Sequence, residues 1–374
     1  MTHSQRRVKL SATLRSFSGA DETAEPLDAM LVTDLNNVRY LSGFTGSNAA
    51  LLVYGDDRPA VLSTDGRYRT QAANQAPDLE VVIERACARY LAERAAADGV
   101  RRLGYEGHVV TVDAYTALTR ALDTRAGVEL VRASGVVETL REIKDDGEVA
   151  LLRLACEAAD AALADLVERG GLRPGRTEKA VGRELESLML DHGADGVSFE
   201  TIVAAGANSA IPHHRPTDAV LAAGDFVKID FGALVAGYHS DMTRTFVLGP
   251  VADWQREIYG LVAAAQRAGR DALAPGVSLS AVDGASRQVI ADAGYGDLFS
   301  HGLGHGVGLQ IHEAPGINAT AAGTLLAGSA VTVEPGVYLP DRGGVRIEDT
   351  LVVQGGEKTA PELLTRFPKE LQIL

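Results

Sequence analysis

Five residues of the types that bind metal ions lie in the C-terminal half of the chain. Each is in or beside a short apolar run with β-strand character, where an unpaired carboxylate is costly because buried charges are normally paired or metal-bound. Four carboxylates and one imidazole suit a pair of divalent cations, and they roughly neutralise two such ions while leaving room for one hydroxide. This set therefore predicts hydrolytic chemistry. The five residues are Asp230, Asp241, His305, Glu334 and Glu348.

The first two of these residues lie in FVKIDFGALVAGYHSDMTRTFVL, which has the pattern of a β-hairpin. Placing Asp230 opposite Asp241 puts the turn between Val235 and Ala236, beside Gly237. Opposed residues of an antiparallel pair share a face about 5 Å apart, so two facing carboxylates would repel each other without a cation. Taken alone, the same pattern also fits an edge hairpin with acidic residues facing water.

The other two carboxylates lie in two further strand-like runs. In AVTVEPGVYL, valines alternate with Thr332 and Glu334, and Pro335 ends the pattern, as expected beside a cavity. In GVRIEDTLVV, Arg346 and Glu348 fall on one face of a continuous strand and would face the same space. For this run alone, a surface Arg–Glu pair across strands is the alternative.

Histidines are concentrated in HGLGHGVGLQIHEAPG, which holds three of the nine in the chain. His301 and His305 have the i, i+4 spacing of a helical metal-binding pair, but the glycines between them disfavour a helix. We therefore expect an extended segment with both rings on one face. The third histidine is His312. Packing alone does not explain three histidines so close together, so we expect this cluster to be functional. His213 and His214 precede the predicted hairpin, where an exposed loop is the alternative.

The elements that position these residues differ along the chain. Short apolar strands alternate with helical runs in the first part, which predicts an α/β domain over residues 1–132. Residues 133–374 are expected to form an α+β domain with an antiparallel sheet. This second domain opens with a long helical region that Gly147 should break and Gly170 and Gly171 should end.

Composition excludes several classes of protein. With 374 residues and 46% hydrophobic residues, the chain is long enough for two packed domains and is not of the disordered type. A net charge of −14 argues against nucleic-acid or anionic-membrane partners. We expect neither a signal peptide nor a membrane span. Cys87 and Cys156 lack metal or redox spacing, so we expect a cytoplasmic protein without disulfides.

Together these motifs resemble the pita-bread metallopeptidases, which include aminopeptidase P, prolidase, methionine aminopeptidase and creatinase. The ligand series Asp, Asp, His, Glu, Glu of that family is matched by DFG, SDMTRT, HGLGH, VEPG and RIED. VTDLNNVRYLSGFTGSNAALLV resembles the creatinase-type N-terminal domain, and the whole chain resembles actinobacterial Xaa-Pro dipeptidases and aminopeptidases. The implied fold is α+β, with a C-terminal pita-bread catalytic domain preceded by a smaller α/β domain.

The resemblance implies a ligand role for each of the five residues. Asp230 would be bidentate on one metal ion, while His305 and Glu334 would bind the second. Asp241 and Glu348 would bridge the two ions.

The resemblance also implies catalytic and substrate-binding residues. Glu334 would pass on the proton of the attacking water, and His312 would donate a hydrogen bond at the scissile carbonyl or the leaving nitrogen. Arg346 would hold the bridging carboxylate and the reacting group. The implied catalytic residues are His213, His312 and Glu334, and the substrate-binding residues are His213, His301 and Arg346, with His301 on the proline side.

The implied reaction is hydrolysis of the Xaa–Pro bond at the N-terminus of peptides or in Xaa-Pro dipeptides, by a hydroxide that bridges two metal ions. Mn²⁺ is expected, and Co²⁺, Fe²⁺ or Zn²⁺ would also fit. We expect a homodimer that acts on small peptides with proline second, in which Tyr40, Arg67 and Tyr68 would reach a neighbouring site.

Three alternatives stay open at this point. Methionine aminopeptidases share the ligands but generally lack the N-terminal domain and the histidine at position 301, and creatinase does not use the metals. A catalytically inactive member that binds proteins would typically have lost ligands, and this chain retains all five. Dipeptidase and aminopeptidase activity are equally compatible with the sequence.

Overall fold

The computed structural model describes residues 1–17, 26–123, 127–356 and 360–374. Contacts between residues divide the chain into two units, Met1–Arg141 and Glu142–Leu374. The elements of the first unit, in chain order, are α1 (His3–Arg15), β1 (Ala29–Val32), α2 (Leu35–Ser42), β2 (Ala49–Tyr54), β3 (Val61–Thr64), α3 (Arg69–Gln75), β4 (Glu80–Ile83), α4 (Cys87–Ala97), β5 (Arg102–Tyr105), α5 (Val112–Asp123), β6 (Glu129–Arg132) and α6 (Val136–Glu142).

The first unit is built on a six-stranded sheet of order β4-β3-β2-β1-β5-β6. The pairs β1–β5, β5–β6 and β3–β4 are parallel, while β2 is antiparallel to both of its neighbours. Apolar side chains of β1, β2, β5, α4 and α5 form one core cluster. The α/β architecture expected for this part of the chain is confirmed.

The boundary between the units lies later than the expected position between residues 132 and 133. The physical reason is that α6 is hydrogen bonded to α2. Glu138 accepts from the Asn37 side-chain amide at 2.6 Å, and Arg141 donates to the amide oxygen of the same asparagine at 2.9 Å. The Tyr40 hydroxyl donates to the Leu140 carbonyl at 3.0 Å, and Tyr40 is 1% exposed. The expectation that Tyr40 reaches a neighbouring site is therefore wrong.

The second unit combines long helices with short antiparallel strands. Its elements are α7 (Asp146–Glu168), α8 (Glu178–Asp191), β7 (Gly196–Val197), β8 (Ile202–Ala205), β9 (Phe226–Phe231), β10 (Ala233–Val235), β11 (Tyr238–His239), β12 (Met242–Val247), α9 (Asp253–Asp271), α10 (Leu279–Asp292), β13 (Gly304–Gly306), β14 (Glu313–Ile317), β15 (Ala330–Val333), β16 (Gly336–Leu339), β17 (Gly343–Arg346), β18 (Asp349–Val352) and β19 (Glu362–Leu363). The sheets have the orders β11-β10-β7, β12-β9-β8, β14-β13-β15-β18-β19 and β16-β17.

Two helix pairs cover the sheets of the second unit. Helices α7 and α8 contribute apolar residues to a core with β8, β9 and β12. Helices α9 and α10 form a second core with the strands from β14 to β18. All strand pairs among the described residues of this unit are antiparallel, so the α+β expectation is confirmed.

The predicted hairpin exists, but the centre of its turn lies one position later in the chain than predicted, so the predicted register was wrong. Thr243 lies opposite Asp230, and Val235 lies opposite Tyr238. The two-residue turn is formed by Ala236 and Gly237, whose φ angles are 46° and 77°. Positive φ at both central positions defines a type I′ hairpin turn, which alanine rarely adopts and which the sequence therefore did not signal. Asp230 and Asp241 are thus not directly opposed.

Two further expectations about local structure were wrong. The long helical region breaks before Asp146, because Asp145 caps α7 and forms a reciprocal capping box with Glu148; Gly147 lies inside the first turn. The run expected to be one strand through Arg346 and Glu348 is divided between β17 and β18. The predicted helix stop is confirmed, since α7 ends at Glu168.

No helix among the described residues is long and apolar enough to cross a membrane. Cys87 and Cys156 are both free thiols.

Candidate metal centre

The structure brings all five predicted ligand residues to the wall of one cavity of about 250 Å³. Each reaches it from a different part of the sheets. Asp230 lies in β9, Asp241 between β11 and β12, and His305 in β13. Glu334 directly follows β15, and Glu348 lies in the break between β17 and β18. Strand ends and interruptions therefore supply most of the ligand-type side chains.

Possible ligand atoms of Asp241, His305 and Glu348 lie within 4.8 Å of one another. His305 Nε2 is 3.5 Å from both Asp241 Oδ2 and Glu334 Oε1. The other ring nitrogen, Nδ1, is 3.0 Å from the carbonyl oxygen of Gly306. That contact requires the proton on Nδ1, which leaves the lone pair of Nε2 facing the carboxylates, as in metal-ligating histidines.

The carboxylates of the cavity strongly affect one another. Burial, followed by repulsion from Glu348 and Asp230, raises the pKa of Asp241 well above its usual value. Burial and the neighbouring Glu334 raise the pKa of Glu348 in the same way. Burial raises the pKa of Glu334 to about 8, and burial lowers the pKa of His305 to about 4. A bound cation would remove this repulsion and would favour ionised carboxylates beside a neutral imidazole.

Two buried oxygens at this site have no hydrogen-bond donor among the described residues: Asp230 Oδ1 and Glu348 Oε1. A buried carboxylate oxygen without a partner is costly, and a metal ion is one of the few groups that would compensate it. Carboxylate oxygens and an imidazole nitrogen are also the donors that hard or borderline divalent ions prefer. The residues therefore fit a divalent metal centre.

Arg346 connects two of the carboxylates. It is 1% exposed, and Nη2 donates to Asp230 Oδ2. Its Nε donates to Thr243 Oγ1 at 3.0 Å, and that hydroxyl donates to Glu348 Oε2 at 2.7 Å. Its Nη1 donates to the Tyr338 hydroxyl at 2.8 Å. Arg346 therefore fixes Asp230 directly and Glu348 through Thr243.

His301 lies at the far end of the same network. Its Nδ1 is 2.8 Å from the Gly302 carbonyl, and its Nε2 is 2.8 Å from the Tyr338 hydroxyl. Because Nδ1 must donate to the carbonyl, Nε2 accepts the tyrosine proton. Burial, and then the charge of Arg346, lowers the pKa of His301 to about 4. Neither His301 nor Arg346 is among the described residues that line the cavity.

Three other histidines do line the cavity: His213, His214 and His312. The ring of His312 lies edge-to-face with that of His305, with centroids 4.4 Å apart, and burial and then His213 lower its pKa. His213 is exposed, whereas His214 is buried with Nε2 2.8 Å from Glu178 Oε2. The structure thus places His213 and His312 beside the five ligand-type residues.

Apolar side chains and one ion pair complete the lining. Phe199, Ile202 and Ile311 supply apolar surface. Arg215 and Glu200 are 3.2 Å apart, and both are well exposed. A concave site with apolar walls and a few convergent polar groups is typical of small-molecule and peptide-binding pockets.

Comparison with known proteins separates the chain into two matched regions. Residues 150–355 match metallopeptidase family M24, and residues 21–143 match the creatinase/prolidase N-terminal domain. The first match covers more than half of the chain and contains all five ligand-type residues. The chain belongs to metallopeptidase family M24.

Individual relatives agree with this family. An uncharacterized peptidase of Bacillus subtilis, YqhT, is 40% identical over 93% of this chain and 96% of its own length. Among solved structures, an Xaa-Pro dipeptidase from Bacillus anthracis has a TM-score of 0.92 and 38% identity, with complete coverage of both chains. An X-Pro aminopeptidase from Thermotoga maritima has a TM-score of 0.84 and 32% identity, covering 93% of this chain and 98% of its own.

Four residues that support the site of this M24 protein from behind its lining were missed from the sequence. Tyr338 and Thr243 lie in strands with no distinguishing pattern, and Lys228 belongs to a run that is otherwise largely apolar. Glu178 is the first residue of α8, where an acidic residue ordinarily indicates only a helix start. Lys228 offered one signal, because a lysine two residues before Asp230 occupies the same face of β9.

Proposed function

We propose that this chain hydrolyses the Xaa–Pro bond at the N-terminus of peptides or in Xaa-Pro dipeptides, using two divalent metal ions per subunit. The observation that carries the proposal is the convergence of Asp230, Asp241, His305, Glu334 and Glu348 on one cavity that His213 and His312 also line. Oxygen-rich ligation favours Mn²⁺, and Co²⁺, Fe²⁺ or Zn²⁺ would fit the same donors.

The relatives support this choice over the alternatives. The Bacillus anthracis and Thermotoga maritima proteins are named for action on Xaa-Pro substrates, and each aligns over nearly its whole length. The creatinase/prolidase N-terminal domain over residues 21–143 favours this activity over a methionine aminopeptidase-like exopeptidase. Retention of all five ligand-type residues argues against an inactive protein-binding module.

The five residues hold the metal ions in this proposal. Asp230 would serve one ion, His305 and Glu334 the other, and Asp241 and Glu348 both. Bound divalent ions supply a hydroxide near neutral pH and polarise the scissile carbonyl. The network from Arg346 would keep Asp230 and Glu348 oriented toward the ions.

The remaining chemistry is proton transfer, which this chain can supply. Glu334 lies on the cavity wall and would take the proton of the attacking water. His312 is neutral at pH 7 because its pKa is lowered, so its ring N–H can donate to an oxyanion. The departing proline nitrogen becomes a secondary amine and needs a proton, which Glu334 would pass on from the attacking water or His213 would provide.

His301 and Arg346 act indirectly in this proposal. Arg346 is bound to Asp230 and excluded from solvent, so it orients the metal site rather than contacting peptide. His301 is fixed by Tyr338 and would shape the proline side of the site from behind the cavity wall. We further propose a cytoplasmic location, since both cysteines are free thiols, as is typical of reducing compartments. We also propose that the chain forms a homodimer. Light scattering of the purified protein tests the dimer.

The test compares three peptides after metal removal and Mn²⁺ restoration: Ala-Pro, Ala-Pro-Ala and Met-Ala-Ser. Hydrolysis of either proline peptide but not Met-Ala-Ser supports the proposal, and cleavage of Ala-Pro alone would define a dipeptidase. Preferred cleavage of Met-Ala-Ser would favour the methionine aminopeptidase alternative. His305→Ala is the matched inactive control, because it removes an imidazole from the proposed metal site.

A further inference from the structure

One segment of the cavity wall carries both adjacent histidines, His213 and His214, and runs from the end of β8 to Thr217. His213 is exposed, and its ring makes no hydrogen bond to the described residues. The backbone therefore sets where the Cβ of His213 lies and which part of the cavity its imidazole can reach. The contacts that hold this segment therefore determine where His213 lies.

Glu178 holds the segment from the side of α8. It is completely buried, and its carboxylate accepts five hydrogen bonds from the segment. Burial alone would raise the pKa of Glu178, but these hydrogen bonds outweigh it and the pKa is lowered, so the group is ionised at neutral pH. Its donors are Ala205 N (2.9 Å) and Asn208 Nδ2 (2.9 Å) on Oε1, and His214 Nε2 (2.8 Å), Thr217 N (2.9 Å) and Thr217 Oγ1 (2.7 Å) on Oε2.

Lys228 holds the same segment from the side of β9. It is completely buried, and Nζ donates to the carbonyl oxygens of Ile211 at 2.6 Å and Pro212 at 3.2 Å. Arg346 Nη1 donates to the same Pro212 carbonyl at 3.2 Å. The peptide carbonyl immediately before His213 thus accepts hydrogen bonds from two buried side chains.

These contacts leave His213 between two fixed neighbours. The carbonyl of Pro212 is held by Lys228, and the ring of His214 is held by Glu178. Neither Glu178 nor Lys228 is among the described residues that line the cavity, so neither is placed to contact substrate directly. The hydrogen bonds to the ionised Glu178 carboxylate are charge-assisted, and such bonds are stronger than those between neutral groups.

We propose that Glu178 and Lys228 are positioning residues for His213, and that together they preorganise its imidazole for the reacting group. The inference rests on the proposed function for its kinetic consequence, but the position of the imidazole is a property of the protein alone. Misplacement of a catalytic group by about 1 Å can cost about 100-fold in rate. If the two residues had a purely structural role, replacing either one would lower stability without changing catalysis by the folded protein.

The test uses Glu178→Gln and Lys228→Met, with Lys228→Arg as the variant that can still donate to the carbonyls. Asp160→Asn is the matched control, because Asp160 accepts from the backbone amides of Arg366 and Phe367 in the same unit without lining the cavity. Each variant is also made in a His213→Ala background. Metal content and thermal unfolding are measured for all of them, and either test variant suffices if the other does not fold.

We expect Glu178→Gln and Lys228→Met to lower kcat/KM for Ala-Pro by about 10- to 100-fold, mainly through kcat, while Lys228→Arg recovers part of the loss. In the His213→Ala background the same substitutions should change kcat/KM by less than about twofold. Undiminished effects in that background, or unchanged kcat/KM in Glu178→Gln, would overturn the inference.

A readout without activity separates this inference from the proposed function. The imidazole resonance that disappears in His213→Ala identifies His213 by NMR. It should shift in Glu178→Gln and Lys228→Met and stay in place in Asp160→Asn. An unshifted resonance overturns the inference even in an active enzyme, whereas an inactive wild-type protein with the expected shifts overturns only the proposed function.

Discussion

Arg346 donates a hydrogen bond to Asp230 in the interior, where their side chains are 2% and 10% exposed. The pair joins a buried cation to a carboxylate of the proposed metal site, so Arg346 compensates part of the negative charge before any metal binds. Removing one partner of a buried ion pair leaves the other charge uncompensated.

Arg346→Ala should therefore destabilise the metal-free protein by about 3–5 kcal/mol. Arg346→Lys should be intermediate, because lysine keeps the charge but cannot donate to Asp230, Thr243 and Tyr338 together. Urea unfolding in chelator measures both effects. Arg169→Ala is the control, since that arginine is 59% exposed, and it should change stability by less than about 0.5 kcal/mol. Equal stability of Arg346→Ala and the control would contradict this account.

The stability of the metal-free protein should depend on pH through the same carboxylates. The folded protein retains a proton on Glu334, whose pKa is about 8, whereas the unfolded chain has released it. Burial raises the pKa values of Asp241 and Glu348, which acts in the same direction. His301 and His305 have pKa values lowered to about 4, so they oppose this trend only below their ordinary value of 6.5.

Between about pH 6.5 and 8, the unfolding free energy should consequently fall as pH rises, by up to about 1.4 kcal/mol per unit for each retained proton. Denaturant unfolding in chelator at several pH values tests the sign. Glu334→Gln should flatten the dependence, and added divalent metal should stabilise the protein more at higher pH because its ligands must be deprotonated. A metal-free protein that gains stability across this range would refute the prediction.

A second buried ion pair makes a prediction about the segment that carries His312. Lys144 Nζ lies 2.6 Å from Glu313 Oε1, and the side chains are 1% and 4% exposed. Lys144→Met should cost about 3–5 kcal/mol, while the double variant Lys144→Met, Glu313→Leu should recover part of that loss, because no unpaired charge remains.

The control for this pair lies on the surface of the same unit. Lys179 and Asp218 are 3.0 Å apart, with side chains 43% and 83% exposed. Lys179→Met should cost less than about 1 kcal/mol, since exposed ion pairs contribute little. Similar losses for Lys144→Met and Lys179→Met in thermal unfolding would show that burial does not strengthen the first pair.

The five ligand-type residues could be found from the sequence because each interrupts an apolar run with a charge that burial would otherwise exclude. The register of the hairpin could not, because it depends on Ala236 adopting a positive φ, which local sequence disfavours. The break between β17 and β18 likewise follows from tertiary contacts at Glu348 and not from a Gly or Pro signal.

The supporting residues were missed for a different reason. Glu178 and His214 are far apart in sequence, as are Arg346 and Pro212, and their contacts exist only after the chain has folded. Arg346 was expected to hold a bridging carboxylate, yet the side chain it binds directly is Asp230, while Thr243 binds Glu348. Residue type predicted the participants, and only the three-dimensional structure assigned their partners.

In the proposed function, this M24 protein uses metal ions bound at Asp241, His305 and Glu348 to cleave Xaa–Pro bonds. The most direct measurement is the rate of Ala-Pro and Ala-Pro-Ala hydrolysis while Mn²⁺ is titrated into chelator-treated protein. We predict no activity without metal and a rate that rises and saturates near two equivalents per chain, with His305→Ala inactive throughout. Hydrolysis that persists in chelator would contradict the proposed function. So would a lack of hydrolysis of both peptides at every metal concentration.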